Sequence, residues 1–115
     1  MHPVVQFRLR ITRGEDIALG PGKIRLLEAI AETGSISSAA RRLDMSYRRA
    51  WDLVDQMNRS LRQPVVQTAV GGTRGGGTVV TESGRRVVEL YRRVESEAHA
   101  GSAKSLAALT RMLAP

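Results

Sequence analysis

The run GSISSAARRLDMSYRRAWDLVDQMN, Gly34 to Asn58, leaves this chain few ways to fold. Ser35 or Ser37 predicts a helix over about Ile36 to Leu43, because a serine oxygen accepts from the free N–H groups of a first turn. Ser46 predicts a second helix, Tyr47 to about Leu61, in the same way. Asp44 falls at the turn between them, where glycine is more usual, and aspartate tolerates left-handed backbone better than most residues. Ala39 and Ala40 let the two helices cross at close range, and a larger side chain at Ala40 would hold them apart. Leu43, Met45, Ala50 and Leu53 supply apolar contacts between and beneath them. The second helix has an inward stripe of Ala50, Leu53, Val54, Met57 and Leu61, and an outward set of Arg48, Arg49, Asp52, Asp55 and Arg59. Two short helices across a tight turn, the second opening on polar and basic side chains, have the layout of a helix-turn-helix. That device sets the start of its second helix into the major groove of DNA.

The flanks complete a domain. Val5, Phe7, Leu9 and Ile11 alternate with Gln6, Arg8, Arg10 and Thr12, which predicts a strand with one buried face. Residues 14–20 are expected to form a loop, and Pro21 suits the first position of a helix carrying Ile24, Leu27, Ile30 and Ala31 on one stripe. Gly34 is its expected C-terminal cap. Pro64 stops further helix, and Val65–Val70 and Thr78–Thr81 are β-prone arms around the tip GGTRGGG. Thr81 caps a last long helix, Glu82 to about His99, with Val87, Leu90, Tyr91, Val94 and Ala98 along one side. Glu82–Arg86 and Glu89–Arg93 are expected to pair on the other. Gly101 and Ser102 are expected to break it before a short helix bearing Leu106, Leu109 and Leu113. The expected fold is α+β, a winged helix-turn-helix in the order β-α-α-α-β-β-α with a possible extra helix. It has a three-helix core, a two-stranded wing and a long C-terminal dimerisation helix. Residues 1–100 form the domain, and 101–115 a short helix or tail.

Charge favours a polyanionic partner. The formal charge is +7, and its excess falls between Ser35 and Thr81, where Arg41, Arg42, Arg48, Arg49, Arg59, Arg62 and Arg74 face only Asp44, Asp52 and Asp55. Arginine forms planar bidentate bonds to phosphate and guanine that lysine cannot. Aromatics are 3% of the chain, too few for a single-strand binder built on base stacking. Ser46, Tyr47, Arg48, Arg49 and Asp52 are the candidate reading residues, with Arg48 or Arg49 pairing with guanine. Arg49→Ala is expected to weaken specific binding. Ser37, Ser38, Arg41 and Arg42 are candidates for positioning on phosphate, and Thr73 and Arg74 for wing contact, so Arg74→Ala is expected to weaken all DNA binding. Trp51 is read chiefly as packing at the edge of the core, with a backbone contact as the alternative. The glycine tip fails the P-loop pattern because no Lys-Ser/Thr follows it. Catalysis has no support: His2 and His99 lie at opposite ends of the chain, and no cysteine is present for a thiolate metal site or a disulfide. No segment is apolar enough to span a membrane and the N-terminus is charged, so a cytoplasmic location is expected.

Three segments together carry a resemblance. SISSAARRL, then MSYRRAWDLVDQMN, then GGTRGGGTVVTESGRRVVELY resemble the DNA-binding half of the molybdate-responsive ModE regulators and, more distantly, the winged helix of LysR-type regulators. The match runs from about Pro21 to Glu97. It implies a transcriptional regulator, most simply a repressor, that binds palindromic operators as a homodimer. On matching positions it places Ser46, Tyr47, Arg48, Arg49 and Trp51 on the recognition helix and Thr73 and Arg74 in the wing. It places Val87, Leu90, Tyr91 and Val94 on the dimerisation helix. Residues 101–115 are too few for the β-rich molybdate-binding domains of that family. No cofactor is therefore expected, and molybdate would act only through a separate protein or an unrecognised site. The rival readings are a winged helix that binds another protein, and an oxyanion-binding protein using helix N-termini and the glycine tip.

Overall fold

The computed structural model describes residues 2–68 and 77–115 of the chain. In chain order the elements are β1 (Ile11–Arg13), β2 (Asp16–Leu19), α1 (Pro21–Thr33), α2 (Ile36–Arg42), α3 (Tyr47–Ser60), β3 (Val66–Thr68), β4 (Thr78–Val80), α4 (Glu82–Gly101) and α5 (Ala103–Thr110). The α+β winged-helix expectation holds, with one added hairpin.

The core is where α1, α2 and α3 meet. Ile24, Leu26, Leu27 and Ile30 of α1 pack on Ala39 and Ala40 of α2 and on Ala50, Val54 and Met57 of α3, all buried. Ala31, expected on the inner stripe of α1, is exposed; Leu26 and Ala29 take the inner positions instead. Small residues at 39 and 40 permit the close crossing, so the helix-turn-helix rests on side-chain size as much as on apolarity. Local chemistry sets the boundaries. Pro21 opens α1, and Gly34 closes it at φ 69°, its N–H donating to Ile30 O at 2.8 Å. Ser35 Oγ accepts from Ser38 N–H at 3.2 Å and Ser46 Oγ from Arg49 N–H at 3.0 Å. Asp44 takes the left-handed turn position at φ 56°.

The N-terminal segment differs from expectation. Residues 5, 7 and 9 are half-buried and 6, 8 and 10 exposed, as the alternation predicts, yet no ladder forms before Ile11. The segment lies extended against the body by one face, Leu9 packing on the core. The expected loop at 14–20 is instead the turn Gly14-Glu15, with Gly14 at φ 63°, followed by β2, which pairs antiparallel with β1 (Thr12 opposite Ile17, Arg13 opposite Asp16). Periodicity reports which face is buried, not which strand is the partner.

Helix α4 leaves the body. Only Gly84 and Tyr91 along it are buried, and no residue of α5 is. Twenty residues span about 30 Å at 1.5 Å rise each, which explains a long axis of 58 Å beside 30 and 24 Å. The helix runs through Gly101, expected to break it, and ends at Ser102. Arg92 ties it back to α1 through a bidentate pair with Glu28 (3.2 and 2.5 Å) and also meets Glu95 at 2.8 Å. Arg93 pairs with Glu89 at 2.8 Å as expected, but Arg86 also chooses Glu89, at 3.0 Å, rather than Glu82.

Candidate nucleic-acid interface

The first turn of α3 stands open. Ser46, Tyr47, Arg48, Arg49, Trp51 and Asp52 are all exposed, because the inward stripe Ala50, Leu53, Val54 and Met57 fixes the helix's rotation. Two flanks are distinguishable. Arg48, Asp52, Asp55 and Arg59 point outward, the last two paired at 3.2 Å. Arg49 turns toward α1 and β2, where it shares a groove with Arg10, Ile17, Lys23 and Gln56. Tyr47 and Trp51 take the other side, edge to face at 6.3 Å. Trp51 is 38% exposed, in keeping with the edge of the core, and with Val54 and Asn58 it faces Val66, Gln67 and Thr68 of β3 across a groove.

Lys23 is the one buried cation among the described residues. Its ammonium donates to Ile17 O. Burial pushes its pKa down; Asp16 opposes that shift and Arg49 adds to it.

The positioning candidates separate. Arg42 is engaged by Glu32 of α1, whereas Arg41, Arg48 and Arg49 make no ion pair among the described residues. Ser37 is exposed and Ser38 half-buried, both in the first turn of α2. Thr73 and Arg74 lie outside the described residues.

The base of the wing is pinned at fixed places, which sequence reading missed. β3 and β4 pair antiparallel, Val66 opposite Val80 and Thr68 opposite Thr78. The Asn58 amide on α3 grips the entry to β3, accepting from Val65 N–H at 2.8 Å and donating to Val66 O at 3.1 Å. Thr78 N–H donates to Gly34 O at 3.0 Å, fastening β4 to the α1–α2 junction. Thr81 accepts from Gly84 N–H at 3.0 Å as expected and donates to Pro64 O at 2.7 Å. An Asn in an outwardly amphipathic helix gives no sequence signal of this role, because its partners lie beyond a proline in another element. Asn58→Ala is expected to cost roughly 1–3 kcal/mol by stranding Val65 N–H, read as a lower urea midpoint at unchanged m.

On the dimerisation candidates, Tyr91 is a correction. It is buried within this chain, its hydroxyl donating to Leu9 O at 2.7 Å, so it offers no surface to a partner. Val87 is half-buried, while Leu90 and Val94 remain 41% and 47% exposed.

Comparison with known proteins bears on this geometry. The family described as bacterial regulatory helix-turn-helix protein, lysR family, matches residues 22–85. The molybdenum transport protein ModE of Azotobacter vinelandii is 45% identical over 94 residues, which are 80% of this chain and 35% of that protein. The DNA-binding transcriptional dual regulator ModE of Escherichia coli (strain K12) is 44% identical over 71 residues, 62% of this chain and 27% of that protein. The chain thus spans about a third of the length of these relatives. A crystal structure of a CbnR_DBD–DNA complex shares the fold at a TM-score of 0.57 and 24% identity, covering 76% of this chain and 95% of that one.

Proposed function

Because this chain belongs to the bacterial regulatory helix-turn-helix proteins of the lysR family, we propose that it regulates transcription by binding operator DNA as a homodimer. The carrying observation is the exposed first turn of α3, where Arg48 and Arg49 make no ion pair among the described residues, on a helix whose Trp51 and Asn58 face the wing base. The free N–H groups of that turn add attraction for phosphate. The protein is a binding protein, not an enzyme, and acts in the cytoplasm, most simply as a repressor. Recovery of bound fragments from the source genome, followed by anisotropy titration at several salt concentrations, tests this. One set of fragments is expected to bind far more tightly than bulk DNA, with log K falling linearly in log salt. Uniform weak binding to every fragment would reject operator recognition.

The dimer rests on α4 and α5. Leu90 and Val94 of α4, Leu109 of α5 and Leu113 beyond it are exposed apolar side chains, the last two at 62% and 61% exposure. A second copy covers them and sets two α3 helices one helical turn of DNA apart. The double variant Leu90→Glu/Val94→Glu alters only exposed positions, so it should keep its fold. It is expected to sediment as a monomer and to lose cooperative operator binding; a wild-type protein already monomeric at micromolar concentration would remove the dimer.

A further inference from the structure

We propose that the cleft between the N-terminal segment, the start of α1 and the middle of α4 binds a small phosphate-bearing ligand through Arg8, Arg10 and Arg25. The cleft measures about 580 Å³, and its lining also includes Phe7, Pro21, Gly22, Arg92, Glu95 and His99. That volume admits a small organic phosphate.

Its charge is uncompensated. Arg92 is committed to Glu28 and Glu95, and Glu95, the one carboxylate of the lining, is neutralised by that pair. Arg8, Arg10 and Arg25 make no ion pair among the described residues. The other carboxylate of α1, Glu32, is taken by Arg42. Pairing across elements has therefore taken Glu28, the carboxylate three residues along the helix from Arg25. Guanidinium groups lining one cleft are the chemistry that recognises phosphate in bidentate fashion.

Two further features fit an organic phosphate. The first intrahelical bond of α1 is Ile24 N–H to Gly20 O at 3.1 Å, which leaves the Gly22 and Lys23 N–H groups ahead of the ladder. A Cβ at Gly22 would meet nothing within 4 Å, so the approach to that turn is open. Opposite lies an aromatic wall, Phe7 edge-on to His99 at 4.6 Å and 85°. Arg10, Pro21 and Gly22 are shared with the groove beside Arg49, but the far end of the cleft lies away from the outward face of α3. The cleft reaches Arg92 to His99, which lie about 15 Å and more along α4 from its start at the wing base.

The test is calorimetric titration of the full chain with inorganic pyrophosphate and with ADP at constant ionic strength. Arg25→Gln, Arg8→Gln and Arg48→Gln serve as comparisons. At least one of the two probes is expected to bind wild-type protein saturably, and Arg25→Gln and Arg8→Gln each to weaken it tenfold or more. Arg48→Gln, on the DNA-reading face, is expected to leave it unchanged. Tighter ADP binding would assign the aromatic wall to the organic moiety, whereas equal affinities would assign recognition to the phosphate alone. Absence of saturable binding by both probes, an affinity indifferent to Arg25→Gln and Arg8→Gln, or an equal loss with Arg48→Gln would overturn the proposal. The result does not depend on whether the protein binds operators.

Discussion

Gly84→Ala is expected to lower stability by about 3 kcal/mol or more, the upper end of overpacking effects, and the melting temperature by about 10 °C or more. A Cβ at this position would sit 2.3 Å from Val65 O and 2.7 Å from Val80 Cγ1. Both neighbours belong to buried residues, and the closer is a carbonyl oxygen already accepting from Thr81 N–H at 3.0 Å. Backbone cannot swing aside as a side-chain tip can, so relief requires the first turn of α4 to lift from the wing base. That movement breaks the Thr81 cap and its bond to Pro64. Gly101→Ala is the control. It sits in the same helix with nothing near its missing Cβ, and should stabilise by about 0.5–1 kcal/mol. Denaturant melts of both variants decide the matter, and a Gly84→Ala midpoint equal to wild type would mean that α4 does not seat this closely.

Gly84 also marks the limit of what the sequence discloses. Elements whose cause is local are legible: Ser46 and Thr81 as caps, Asp44 at the left-handed turn, Gly34 as a helix stop, and the Ala50–Leu53–Val54–Met57 stripe. Each follows from a residue's own backbone preference or from spacing along one helix. Features whose cause is a partner far along the chain are not. A glycine after Thr-Glu-Ser reads as a tolerated helix residue until the carbonyl of Val65 is found above it. The ion pair of Arg42 with Glu32 of α1 has no signal in sequence, and Tyr91 reads as an interface residue until Leu9 accepts its hydroxyl. The β1–β2 hairpin escaped for a related reason. Alternation through residues 5–9 is satisfied by burying one face of an extended segment, whereas Ile11, expected on that face, is exposed in β1, and nothing in the pattern names the ladder partner. The candidate reading site was legible because exposure is the complement of the inward stripe, which the sequence writes plainly.

Arg48→Ala and Arg49→Ala are expected to part company on DNA, although they are neighbours in sequence. From sequence alone Arg49→Ala is expected to weaken specific binding; the groove that Arg49 shares with Arg10 and Lys23 argues for the reverse assignment. Arg48 stands outward on the ridge with Asp52, the position from which a guanidinium meets a base edge. Its loss is expected to reduce affinity for the preferred operator by about 10- to 100-fold, the worth of one bidentate guanine pair, and to relax preference at a single base pair. Arg49 faces the groove it shares with Arg10 and Lys23, on the flank where a phosphate strand would pass. Its loss is expected to weaken all sequences alike and to flatten the slope of log K against log salt by about 0.9. Competition titrations of operator against scrambled duplex at three salt concentrations separate these outcomes. If Arg48→Ala loses affinity equally on both duplexes, the outward ridge does not read bases. If instead Arg49→Ala carries the sequence-dependent loss, α3 enters the groove rotated toward α1, and the base contacts belong to the Arg49–Gln56 side of the helix.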